Sequence, residues 1–313
     1  MGAAVLSLAA VWFAARGVDR AVLMQTFGHV AWTWVALAAL ATIVSIVAHA
    51  VSWHLGLRGS NTGPVQFRHV LGASWMGKAV GQFVPGPSSE LTRMMVIGRH
   101  IPGGAGQTGR LVGGLVAQSV FGGAATVLVV GISATVLPLP VDIPGGQLAF
   151  LCAVVGLCAL GLALTQRCSR ARLRRLVPHW VIVRSEPILA GLAVLRPSRL
   201  AAKCLALHLV AVSAQLAAMW LMMRGFGLDV PASAPPVLLA AMMIAGVLPA
   251  TPGAVGVAQA AIVAPLGAAY GVANEIALAF AIGLHAMIAS VAVIGGLGAL
   301  VHQRVTRPQV SLT

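Results

Sequence analysis

The polarity pattern along the chain consists of long apolar runs separated by short polar or basic stretches. Each run is close to the ~20 residues that an α-helix needs to cross a bilayer. The runs occupy residues 30–57, 111–137, 147–165, 204–223 and 276–301. A shorter apolar stretch, 2–15, precedes them. This pattern predicts an all-α polytopic membrane protein with about six spanning helices.

Two further apolar segments, 68–99 and 236–270, are interrupted by Pro and Gly. The interruptions are Val84–Glu90 (VPGPSSE) and Leu248–Gly253 (LPATPG). Lipid offers no hydrogen-bond partners, so irregular backbone at membrane depth persists only inside protein or along a wet cavity. We therefore expect two broken re-entrant hairpins. Paired breaks in corresponding positions of two halves point to the binding site of a transporter.

Composition and charge agree with this class of protein. Of 313 residues, 59% are hydrophobic and 8% are charged, against about 25% charged in a soluble domain. The net charge is +14, but the basic residues lie mostly in loops, where the positive-inside rule explains them without nucleic acid. The loop 166–203 carries nine basic residues and one acid. It is therefore expected in the cytoplasm.

This assignment orients the other segments. The crossing 147–165 separates two units of the same form (span, broken hairpin, span), 30–137 and 204–301, which must then have opposite orientations. That is the inverted-repeat plan of secondary transporters. The sequence thus predicts one integral domain, residues 1–301, in the cytoplasmic membrane, with 302–313 as a cytoplasmic tail.

The first hairpin contains the most specific candidates for chemistry. Lys78 lies in an apolar segment, where a charge costs at least about 2.5–3.5 kcal/mol at mid-bilayer. Glu90 and Arg93 share a helix face and are expected to pair. Two interpretations stay open: a structural ion pair with Lys78 reaching the interface, or a charged groove for an anionic head group.

The Pro-Gly breaks favour the second interpretation, a charged groove for an anionic head group. Pro87 suits the first turn of a new half-helix, and Thr251-Pro252 suits an N-cap followed by N1 in the other half. Two such N-termini would direct free N–H groups and positive dipole ends at a phosphate. The predicted substrate-binding residues are Lys78, Gln82, Ser88, Ser89, Glu90, Arg93, Thr251, Gly253 and Gln259.

Other chemistries find little support. Gly72–Ala79 resembles a nucleotide-binding loop but ends in Ala, which has no hydroxyl for magnesium. The four cysteines lack metal-site spacing, and no nucleophile–base arrangement stands out. We expect no enzyme activity, metal or cofactor. Buried His and Gln residues, His49, His208, Gln118 and Gln215 among them, are more often interhelical hydrogen-bonding groups than site residues.

At the two breaks the chain resembles a known family. Gly81–Arg93 is similar to the Pro-Gly, Glu, then Arg pattern of the flippase-like family that includes the membrane region of lysylphosphatidylglycerol synthase. Leu248–Ala260 is similar to its Pro-x-x-Pro-Gly-x-x-Gly element, and Arg224–Leu228 also fits. The resemblance implies a stand-alone flippase, without the aminoacyl-transferase domain, that moves an anionic or glycosylated (poly)prenyl- or phospholipid between leaflets.

The chain also departs from that pattern. The family commonly has Glu where Gln259 stands, Arg where Pro87 stands, and intramembrane charges near Gln118–Gly122. An alternative function is a non-transporting membrane subunit that docks a glycosyltransferase or lipid synthase through the basic loop 166–203. Its partners would be that enzyme and the membrane, whereas a transporter takes an anionic lipid or lipid-linked sugar as substrate.

Overall fold

The computed structural model describes residues 19–59, 64–84, 87–101, 107–137, 190–196, 198–245 and 256–305. Within these ranges all regular structure is helical. We number the helices α1 (Arg20–Gly28), α2 (Trp32–Gly59), α3 (Phe67–Gly81), α4 (Ser88–Gly98), α5 (Thr108–Val136), α6 (Arg199–Gly225), α7 (Ala234–Ala245), α8 (Val257–Tyr270) and α9 (Asn274–Val305). A short 3-10 turn, Leu192–Leu195, precedes α6.

Four helices are long and apolar enough to cross a membrane: α2, α5, α6 and α9. They coincide with the apolar runs 30–57, 111–137, 204–223 and 276–301, so the prediction of a polytopic helical membrane protein is confirmed. The predicted crossing 147–165 and the stretch 2–15 lie outside the described residues.

The two interrupted segments form helix pairs. Gly77 and Gly81 of α3 pack against α4, where a Cβ added at Gly77 would come within 2.6 Å of Arg93 Cγ. Glycine is therefore needed for this close approach. In the second pair the Tyr270 hydroxyl donates to Ser233 Oγ (3.4 Å), which brings the end of α8 back to the start of α7. Pro85, Gly86 and residues 246–255 lie outside the described ranges.

The first helices of the two units, α2 and α6, run antiparallel. The Ala31 N–H donates to the Gly225 carbonyl (2.9 Å) at one end, and Gly59 packs against Leu200 at the other. The remaining contacts are reciprocal: α3 of the first unit packs on α9 of the second, and α7 of the second packs on α5 of the first. This is the packing expected of an inverted repeat.

Charge is segregated between the two ends of the described bundle. One end is where His69 stacks on His100 (4.0 Å between ring centroids) and Gly72 lies against Gln303. The basic residues at this end are Arg58, Arg68, Arg99, Arg110, Arg196, Arg199, Lys203 and Arg304. The opposite end contains Asp19, Asp229 and Glu275, together with Arg20 and Arg224.

The second break differs from the prediction. A helix capped by Thr251 was expected, but α8 begins at Val257 with Gly256 as its N-cap at φ +89°. That left-handed backbone suits glycine and would interrupt any helix arriving from Pro252. Thr251 and Gly253 themselves lie outside the described residues. At the first break the prediction agrees closely, because α4 begins at Ser88, directly after Pro87.

Candidate functional site

The charged residues of the first hairpin line a cavity of about 200 Å³ between α2, α3, α4, α5 and α6. We call it the basic cavity. Its polar lining consists of His49, Ser74, Lys78, Glu90, Arg93, Gln118, Ser119 and His208. Lys78, Glu90 and Arg93, which the sequence singles out from different positions along the hairpin, are thus brought to one space.

Arg93 is fixed in orientation by its neighbours. Its guanidinium lies 4.5 Å from the ring centroid of Trp53, which is completely buried. Such stacking favours a cation over an aromatic face. Gly77 leaves room for the aliphatic part of the Arg93 side chain. The Arg93 Nε is buried without a hydrogen-bond partner, so the guanidinium retains unused donor capacity.

The expected ion pair between Glu90 and Arg93 is not formed. Among the described residues the one ion pair within 4.0 Å is Arg224–Asp229, at the other end of the bundle. Arg93 turns instead toward Trp53, where α3 and α4 approach closely through Gly77. The basic cavity therefore has two cations and one carboxylate that do not neutralise one another by direct contact.

Lys78 is exposed although it lies deep in the helix bundle. The two observations agree because Lys78 lines both the basic cavity and a second cavity described below, and this empty space leaves its side chain accessible. A lysine within an apolar bundle requires polar surroundings, and the cavities provide space for them.

The second space, of about 120 Å³, shares Ile46, His49 and Lys78 with the basic cavity. We call it the amide cavity, because the side-chain amides of Gln82 and Gln215 line it. The other lining residues are Thr42, Ser45, Ala218, Met219, Met242, Leu284, Ile288 and Ala292. Its wall is mostly apolar and reaches α7 and α9 of the second unit.

Two histidines stand where α2 meets α6. His49 Nδ1 lies 2.9 Å from the Ser45 carbonyl, and His208 Nδ1 lies 2.8 Å from the Cys204 carbonyl. Because a carbonyl only accepts, we assign the proton of each ring to Nδ1, which leaves Nε2 as an acceptor in the neutral form. The rings meet edge to face, with centroids 5.0 Å apart.

The other predicted site residues are placed elsewhere. The Ser88 hydroxyl donates to the Val84 carbonyl (2.7 Å), and Ser89 packs against Gly77 and Gly81. Gln259 Oε1 accepts the Gly256 N–H (2.6 Å) and so caps α8. None of these three lines either cavity. The structure therefore brings together Lys78, Gln82, Glu90 and Arg93 of the predicted set.

Sequence reasoning gave the histidines and interior glutamines a packing role, yet His49, His208, Gln118 and Gln215 line the cavities. For His49, helical spacing is a signal in the sequence, because Thr42, Ser45 and His49 recur at intervals of three and four in α2 and all three line the amide cavity. Ser74 and Lys78 lie four residues apart in α3, and Gln82, the C-cap of that helix, continues the interval. Residues three or four apart share a helix face, so a polar stripe in an apolar helix marks a polar space beside it.

The donor set suits an anion rather than a metal ion. The described residues contain no group of three or more His, Cys, Asp or Glu positioned to hold a metal. Beside the single carboxylate of Glu90, the basic cavity offers an ammonium, a guanidinium and neutral hydrogen-bonding groups, which are the usual partners of phosphate.

A comparison of the chain with known proteins and protein families is consistent with the helical membrane fold. A search of the curated proteins finds no significant match. The model of one family, described as the lysylphosphatidylglycerol synthase transmembrane region, matches residues 1–296 of the 313. The chain is thus a multi-pass membrane protein that belongs to the lysylphosphatidylglycerol synthase transmembrane-region family.

Proposed function

We propose that this protein moves an anionic or glycosylated lipid, a phospholipid or a (poly)prenyl-linked lipid, between the leaflets of the cytoplasmic membrane. The basic cavity is the observation that supports the proposal. It lies among helices whose lipid-facing surfaces are apolar, and it offers Lys78 and Arg93 to a single anionic group. A phosphate there would receive charge-assisted hydrogen bonds, the strongest class available to it.

The route would pass between the two hairpins. The cavities adjoin at His49 and Lys78, and together they reach from α4 in the first hairpin to α7 in the second. A head group would occupy this polar space while the acyl or prenyl chains stay in lipid. The basic end of the bundle would face the cytoplasm, as the positive-inside rule requires.

Reconstitution tests the proposal. Purified protein is inserted into vesicles that contain fluorescent lipids with anionic, glycosylated and neutral zwitterionic head groups, and the fraction reaching the outer leaflet is measured with a membrane-impermeant quencher. We expect faster movement of anionic or glycosylated lipids than in empty vesicles. Equal rates with and without protein, for every head group, would overturn the proposal.

A further inference from the structure

We infer that the amide cavity is a second subsite, which takes a small uncharged polyol or sugar unit linked to the anionic group held in the basic cavity. This inference rests on the proposed function. It adds that the substrate is recognised through two chemically different groups, on the two sides of His49 and Lys78.

The charge of the amide cavity excludes a second ionic group. Apart from Lys78, which it shares with the basic cavity, its lining among the described residues includes no Lys, Arg, Asp or Glu. A cationic substituent would find no carboxylate there. A second anion would have to compete for Lys78 alone. An uncharged group is the occupant that this lining accepts.

Its polar groups select for hydroxyls. Gln82 and Gln215 each present an amide that both donates and accepts, and among the described residues no side-chain hydrogen bond engages either amide. An apolar occupant would leave both amides unsatisfied, which is unfavourable. Vicinal hydroxyls, which also donate and accept, match an amide in both respects.

Size and surroundings limit the group further. A volume of about 120 Å³ holds several water molecules, since each needs roughly 10–15 Å³ of such space. Met219, Met242 and Ile288 form an apolar wall that can cover the C–H face of a small polyol. The shared residues place this group next to the anion, so a direct phosphoester link would bridge the two cavities.

A matched pair of lipids tests the inference. Phosphatidylglycerol and phosphatidylmethanol carry the same phosphodiester charge but differ in the hydroxyls of the head group. In the reconstituted assay we expect wild-type protein to favour phosphatidylglycerol. Gln215→Leu is expected to lower this preference about five-fold, the loss of one neutral hydrogen bond. Gln25→Leu, an exposed amide on α1 outside both cavities, is the control and keeps the preference.

Soluble compounds distinguish a lipid from a free phosphoester. Glycerol phosphate and methyl phosphate, added to the purified protein, are compared by the concentration that raises its unfolding temperature. Tighter binding of glycerol phosphate, lost in Gln215→Leu, supports the subsite for a soluble ligand as well. If phosphatidylglycerol in vesicles raises the unfolding temperature and neither soluble phosphoester does, the subsite takes the head group of a lipid.

Outcomes for the subsite and for the proposed function are separable. If wild-type protein moves both lipids equally, and Gln215→Leu changes nothing, the subsite is wrong while transport stands. If neither lipid moves, the proposed function fails. Lys78→Ala is expected to slow both lipids and to leave their ratio unchanged.

Discussion

Arg93 and Trp53 form a stacked pair, with the guanidinium 4.5 Å from the centroid of a completely buried indole ring. The contact joins α4 of the first hairpin to α2, the first span of the same unit. It holds a cation at the wall of the basic cavity without a carboxylate to neutralise it. Anion binding should therefore depend on an aromatic residue that is itself remote from any head group.

Trp53→Leu is expected to weaken anion binding more than Trp53→Phe. Both changes shorten a buried side chain and lower stability by several kcal/mol at most, about 3–5 for complete truncation. Only Phe retains a face on which Arg93 can stack. Phosphate titrations monitored by unfolding temperature measure the effect. Equal loss in both variants would show that Trp53 contributes packing alone.

Gly77→Ala is expected to destabilise the hairpin by about 1–3 kcal/mol, as overpacking does. The new Cβ would lie 2.6 Å from Arg93 Cγ and 2.8 Å from the Ser89 carbonyl oxygen, and that backbone atom cannot move aside cheaply. Gly114→Ala in α5 is the matched control, because no atom of another described helix lies within 4 Å of its Cβ position. Thermal unfolding in detergent compares them. A stable Gly77→Ala protein would contradict the close approach of α3 and α4.

Glu90→Gln is expected to strengthen anion binding about two- to five-fold at low salt, the range of weak exposed charge pairs. Glu90 lines the basic cavity and makes no ion pair within 4.0 Å, so its carboxylate opposes the charge of a bound anion. The Kd for phosphate measures the change. Weaker binding in the variant would indicate that Glu90 orients Arg93 after all.

Thiol labelling tests the orientation. In a protein whose four native cysteines are replaced, Arg199→Cys and Asp229→Cys place single thiols at exposed positions on opposite ends of the bundle. An impermeant maleimide added to intact cells should label the Asp229→Cys protein, and should reach the Arg199→Cys protein only after permeabilisation. The reverse pattern would invert the proposed topology.

Most of the fold could be predicted from sequence because the membrane imposes simple rules. Apolar length gave α2, α5, α6 and α9, and Pro-Gly breaks gave the two helix pairs. The start of α8 was misjudged, since Thr251-Pro252 is a good capping signal, whereas one glycine among the 36 of the chain does not by itself reveal a positive φ at Gly256. A capping motif predicts where a helix can begin, but tertiary contacts determine which of the possible positions is used.

The site was only half predictable. Lys78, Glu90 and Arg93 stood out because intramembrane charges are rare. The Glu90–Arg93 pair was inferred from spacing, but stacking on Trp53 prevailed, and no pattern in the sequence connects Arg93 with a residue forty positions earlier. His208 and Gln215 face the cavities because α2 and α6 pack antiparallel, a relationship that only the fold reveals.

The most direct test of the account uses the two lysines of the chain, Lys78 and Lys203. Lys78 lines both cavities, whereas Lys203 is exposed at the basic end of α6. The rate of anionic-lipid movement in reconstituted vesicles is compared between Lys78→Ala and Lys203→Ala. Loss of a charged hydrogen bond predicts a drop of about ten-fold or more for Lys78→Ala, and a rate close to wild type for Lys203→Ala. Equal rates in the two variants would contradict the basic cavity as the place where the lipid head group binds.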